Sequence, residues 1–241
     1  MTATLIAMPR SVRGGRSIPS VPRDDSAPSA TALDGSTVVL VPVKSFADAK
    51  QRLRSVLTDQ QRRALAQRCA ETVLSAAGTL GVWVVCDDDD IEQWARSRGA
   101  SVIRTDTPGL NPAIADGVAQ LTRLGAGAIV VAHGDLPLAQ DLGGVGSSSQ
   151  RTRDAVTLVP DLVFDGTNVL VLPHAAAEGF VFRYGRGSFL AHLGEALRHG
   201  HPVRVVRDTL LAHDIDTPDD LDRPEMEEIR RWLQTNPDNH R

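Results

Sequence analysis

Lysine occurs only twice in this chain of 241 residues, at Lys44 and Lys50, and every other basic side chain bar histidine is arginine. An ammonium is a compact point charge on a flexible stem, whereas a guanidinium is a planar fork. Two lysines close together in an arginine-dominated chain therefore suggest a task that the fork does poorly. They follow the apolar run Val38–Val43, and Arg52 stands just beyond Lys50. Such charges past the carboxyl end of a buried parallel strand suit a phosphate site; the alternative is that both are simply solvated. Two acids complement them. Asp135 follows a second apolar run, in His133-Gly134-Asp135-Leu136-Pro137, and caps no obvious helix. Asp216 precedes Thr217-Pro218, where an aspartate is also ordinary turn chemistry. Mg²⁺ commonly takes one or two carboxylates from a protein and leaves positions for substrate phosphates. Local sequence leaves open whether residues 135 and 216 meet.

Other stretches carry weaker signals. Phe182-Arg183-Tyr184-Gly185-Arg186-Gly187-Ser188 joins two glycines, two arginines and a hydroxyl at a helix start, a combination that favours anions through backbone N–H groups and the helix dipole. Gly166-Thr167-Asn168 reads as a turn between strands. The run Asp87–Asp90 fits the acidic first turn of a helix better than a metal site. No glycine-rich phosphate loop, serine elbow or zinc spacing is present, and His133 reads as a structural residue.

The elements that must position these groups can be read from periodicity. Strands are expected at Val38–Val43, Gly81–Cys86, Ser101–Arg104, Ala128–Ala132, Ala155–Pro160, Asn168–Leu172 and Val203–Val206. Helices are expected after the capping box Thr58–Gln61, over Ile91–Arg98, from the N-cap Asn111 to Leu124, over Ser188–His199, and from Thr217 continuously to about Gln234. Gly143–Gln150 reads as a flexible loop. Alternating strand and helix imply an α/β, Rossmann-like, mostly parallel sheet with helices on both faces and a mixed, partly antiparallel later portion. Residues 1–36, rich in Pro, Gly, Ser and Arg, read as a disordered extension, 37–234 as one domain and 235–241 as a tail. A hydrophobic content of 41% is enough for a full core. A net charge of −4 and a single Tyr argue against nucleic acid, and no run is long enough to span a membrane. Two cysteines in helix-like and strand-like contexts fit reduced, cytoplasmic thiols.

In order and spacing, Pro42-Val43-Lys44, Lys50-x-Arg52-Leu53, Leu110-Asn111, Gly134–Pro137, Pro160-Asp161, Gly166–Asn168, Arg183-x-Gly185 with Ser188 and His192, and Asp214–Pro218 resemble the phosphoenolpyruvate and 2-phospho-L-lactate guanylyltransferases of coenzyme F-420 biosynthesis. That resemblance implies a fold of the nucleotide-sugar transferase type, with the Lys44–Arg52 segment standing where related enzymes have a glycine-rich loop. It implies that GTP and a small phosphorylated carboxylic acid are substrates and that Mg²⁺ sits on Asp135 and Asp216. It also puts the acceptor at Thr167, Gly185 and Ser188, the triphosphate at Lys44, Lys50 and Arg52, and a downstream transferase beyond the product. Asn111 is a candidate reader of guanine. Arg186, where the family often has proline, and the long extension are departures. The arginine- and alanine-rich composition leans toward phosphoenolpyruvate as acceptor, with 2-phospho-L-lactate or 3-phosphoglycerate as alternatives. A related molybdopterin or sugar-phosphate nucleotidyltransferase, or a nucleotide-binding module without catalysis, are the competing classes.

Overall fold

A computed structural model describes residues 32–146 and 154–235. Most of the expected tail and extension and part of the 143–150 loop lie outside them; Thr235, the first residue of that tail, is helical. The core of the fold is a seven-stranded sheet in the order β3-β2-β1-β4-β6-β5-β7. Its strands are β1 (Thr37–Pro42), β2 (Gly81–Cys86), β3 (Ser101–Arg104), β4 (Ala128–Ala132), β5 (Val156–Pro160), β6 (Thr167–Pro173) and β7 (Val203–Val205). The first four pair in parallel; β6 then runs antiparallel to both β4 and β5, and β7 returns parallel to β5.

Continuous apolar runs make these strands because both faces are covered. Val39, Val41, Val84 and Val130 face one core with α1 (Asp59–Ala76) and α2 (Asp89–Ser97). The intervening Val38, Leu40, Val85 and Val131 face a second core with α3 (Leu110–Arg123), α5 (His174–Ala177) and α6 (Ser188–Arg198). A third cluster joins Leu65 and Cys69 of α1 to Ile215, Met226 and Ile229 near the carboxyl end. A short helix, α4, spans Leu142–Gly146 and overlaps the start of the stretch expected to be a loop. Among the described residues no helix is long and apolar enough to cross a membrane.

Two local readings need correction. The third helix begins at Leu110 after Gly109, whose φ of 106° suits only glycine, so Asn111 lies within the first turn rather than capping it. Pro112 is tolerated there because first-turn N–H groups have no helical partner. The carboxyl-terminal helix is broken into α7 (Pro218–Leu221), a 3₁₀ turn at Pro224–Met226 and α8 (Glu227–Thr235). Pro224 ends the first piece by disfavouring a helical residue before it.

Residues 33–36 are bound to the sheet's amino-terminal edge. Leu33 and Gly35 donate backbone bonds to Leu124 and Gly125, and Gly127 donates to Ser36. A Cβ on Gly127 would overlap the Gly35 carbonyl oxygen, which is backbone and cannot swing aside. Gly127→Ala should therefore cost about 1–3 kcal/mol of stability. A thermal melt checks this, and an unchanged melting temperature would contradict it.

Candidate active site

Strand ends deliver the site. After β1 the chain runs irregularly to Lys50, whose backbone is left-handed (φ 54°, ψ 39°) before a short 3₁₀ turn, Gln51–Leu53. This conformation is uncommon outside glycine. It accompanies a side chain turned inward, only 7% exposed, although the residue is a lysine. Its Nζ donates to Asp135 Oδ2 and to Asp216 Oδ1, both at 3.1 Å. Asp135 comes from the turn after β4. Asp216 is fixed by the capping box of α7, in which the Asp220 carboxylate accepts from the backbone N–H groups of Asp216 and Thr217. A backbone bond from Ile215 N–H to the Asp135 carbonyl, 3.4 Å, ties the two segments together. Arg52 Nη1 stands 3.8 Å from Asp216 Oδ2, largely in solvent.

A third acid joins them. Asp135, Asp214 and Asp216 present oxygens that all lie within 4.8 Å of one another. Asp214 was not singled out from the sequence for any role, yet the signal was there: residues two apart on an extended segment share a side. The electrostatics follow from crowding. Burial disfavours the Lys50 ammonium, but Asp135 and then Asp216 outweigh it and raise its pKa. Burial likewise opposes the Asp135 carboxylate, and Lys50 followed by His133 holds its pKa below the usual value. Asp214 is pushed up to about 7, first by burial and then by Asp135 and Asp216. One ammonium thus faces three carboxylates, and Asp135 Oδ1 is buried without a hydrogen-bond partner. That donor set fits a hard divalent cation.

Asp135, Asp216 and both lysines line a cavity of about 620 Å³ that extends to Asp87 and Pro108–Leu110. His133, read from sequence as structural, is part of its wall, and burial lowers its pKa. The structure places the other expected residues elsewhere. Ser188 Oγ accepts from the Thr167 backbone N–H at 2.9 Å, and Thr167 Oγ1 meets His192 Nδ1 at 3.1 Å. His192 Nε2 in turn accepts from Arg183 N–H at 2.9 Å. Gly185 has a φ of 125°, open only to glycine. Thr167 and Ser188 are buried in this second group, Gly185 is exposed on the turn where its carbonyl accepts from Ser188 N–H, and none of the three lines the lysine cavity. Asn111 lines neither. Its amide accepts from Tyr184 N–H and donates to the Tyr184 carbonyl, bracing the 182–188 turn against α3.

A mostly parallel sheet with lysines and clustered carboxylates at the carboxyl ends of β1 and β4 is the arrangement of a nucleotidyltransferase. Its fold is similar to a putative nucleotide-diphospho-sugar transferase of Desulfovibrio desulfuricans G20, with a TM-score of 0.63 at 14% identity over 83% of this chain and 95% of that one. The chain belongs to the family described as "Guanylyl transferase CofC like", whose profile matches residues 37–226. It is 37% identical to a phosphoenolpyruvate guanylyltransferase of Rubrobacter xylanophilus, over 79% of this chain and 94% of that protein. A phosphoenolpyruvate guanylyltransferase of Conexibacter woesei is 35% identical over 78% and 86%. A 3-phospho-D-glycerate guanylyltransferase of Phenylobacterium zucineum is 32% identical over 75% and 86%.

The second group makes a pH prediction. Burial lowers the His192 pKa to about 4, from an ordinary 6.5, so the folded protein keeps the ring neutral where the unfolded chain would protonate it. Stability from this group is present above pH 6.5 and is lost as pH falls toward 4. Melts of wild type and His192→Gln at pH 7 and pH 5 should show a smaller fall for the variant. Equal falls would mean that the ring is not held neutral.

Proposed function

We propose that the chain transfers GMP from GTP to phosphoenolpyruvate, giving enolpyruvyl-2-diphospho-5′-guanosine and pyrophosphate in coenzyme F-420 biosynthesis. The observation that carries this reading is the meeting of Lys50 with Asp135 and Asp216 in a cavity that Lys44 also lines. An acceptor phosphate oxygen forms a bond to the α-phosphorus of GTP while the bond from that phosphorus to the bridging oxygen breaks, and pyrophosphate departs with the electron pair. The acceptor phosphate is already anionic near pH 7, so no general base is needed. Positioning and charge neutralisation then account for most of the catalysis.

Each residue has a defined part. Lys44 and Lys50 face the triphosphate from the β1 end, with Arg52 at the rim. Asp135 and Asp216, with Asp214 beside them, would hold Mg²⁺, which would supply neutralisation of phosphate charge. The small phosphorylated acid is assigned to the exposed turn at Gly185, which Thr167 and Ser188 hold from its buried side. The names carried by the Rubrobacter and Conexibacter relatives support phosphoenolpyruvate; the Phenylobacterium relative makes 3-phospho-D-glycerate the acceptor to test beside it. Action in the cytoplasm, with a downstream transferase consuming the activated product, completes the reading.

Pyrophosphate release from GTP should be fastest with phosphoenolpyruvate when 2-phospho-L-lactate and 3-phosphoglycerate are run in parallel. Asp135→Asn should reduce the rate by at least about 10²–10³. Activity at the wild-type level in that variant would overturn the metal assignment. Ser188→Ala should raise KM for the acceptor about ten- to a hundred-fold with little effect on GTP; equal effects on both substrates would misplace the acceptor pocket.

A further inference from the structure

We propose that Asp87 reads the base of the donor nucleotide and supplies its preference for guanine. This rests on the guanylyl-transfer reading above. In the acidic run 87–90, Asp88 caps α2 by accepting from Ile91 N–H, and Asp89 and Asp90 belong to its first turn. Asp87 is left outside the helix. It is exposed, lines the lysine cavity and has no hydrogen-bond or ion-pair partner among the described residues. A small recess of about 20 Å³ adjoins it, lined by Asp87, Thr105, Thr107, Gly109 and Leu110 and also by Lys44. The hydroxyls of Thr105 and Thr107 are both taken up by Asp116, which leaves Asp87 as the free carboxylate there.

Topology sets the separation. Asp135 follows β4, and Asp87 follows β2, with β1 between them. Two strand spacings are about 10 Å. That is the order of distance at which a ribose holds a base from the α-phosphate. The strand order also reverses between β1 and β4, where open α/β sheets receive their ligands. A nucleotide with its α-phosphate at the acids and lysines therefore lays its base toward the ends of β2 and β3.

The chemistry then selects the purine. Guanine presents two adjacent donors, N1–H and the 2-amino group, which a carboxylate accepts together. Adenine offers an unprotonated N1 on that edge and would meet the carboxylate with a lone pair. Xanthine keeps N1–H but has a carbonyl at position 2, and this pair complements a carboxamide.

The test is therefore a polarity swap, Asp87→Asn, read by equilibrium dialysis of the full chain with Mg²⁺ and either GTP or XTP. GTP affinity should fall about ten- to a hundred-fold and XTP affinity should rise, reversing the preference. The melting temperature should hold, because the cap of α2 belongs to Asp88. An unchanged GTP-to-XTP ratio would overturn the proposal, as would a reversal produced by Asp48→Asn, the cavity's other unpaired acid, in place of Asp87→Asn. Binding is measured without turnover. Failure of wild type to release pyrophosphate with any acceptor would count against guanylyl transfer, while the affinity ratio would still judge Asp87.

Discussion

One buried ammonium ties the site together. Lys50 is nearly sealed from solvent and lies within hydrogen-bond distance of acids from two remote parts of the chain, 85 and 166 residues away. Leaving that ammonium there without a counter-charge would be strongly unfavourable, so the lysine requires its acids. The left-handed backbone at Lys50 accompanies this arrangement. Asp135, Asp214 and Asp216 present oxygens within 4.8 Å of one another beside the ammonium, a donor set that fits a divalent ion.

The sheet brings these partners together. Pairing of β1 with β4 places Lys44 and Lys50 beside Asp135, and the bond from Ile215 to Asp135 brings in Asp214 and Asp216. The antiparallel half is coupled to the same point: His133 N–H donates to the Asn168 carbonyl, one residue from Thr167. Thr167, Ser188 and His192 then form a closed set of hydrogen bonds behind the 182–188 turn, and Asn111 braces that turn from α3. The acid and lysine cavity and the hydroxyl group are thus separate structures sharing one edge of the sheet.

Much of this was legible in the sequence, for reasons that can be named. β2, β3 and β4 were readable to the residue because short runs centred on Val and Ile between turn signals have few other uses, and Thr58–Gln61 forms the capping box that its spacing implied. Lys44 and Lys50 stood out by rarity and Asp135 by lacking a structural task, whereas Asp216, in ordinary turn chemistry, was singled out by the resemblance. What stayed hidden depends on contacts remote in sequence. Asn111 looked like a cap because Asn-Pro commonly is one, but its amide is drawn to Tyr184, 73 residues on. The run Asp87–Asp90 read as one unit, whereas the fold divides it between a helix start and a cavity wall. Lys50 as a partner of both acids, and Asp214 as the third carboxylate, could be found only once β1, β4 and the segment before α7 were set side by side.

The central claim is that these acids form a cation site governed by Lys50. Manganese-binding titrations followed by electron paramagnetic resonance, with the full chain and a non-hydrolysable GTP analogue, test it most directly. Wild type should bind Mn²⁺ saturably, and Asp135→Asn and Asp216→Asn should each weaken binding by about tenfold or more. Unchanged Mn²⁺ affinity in both variants would contradict the account.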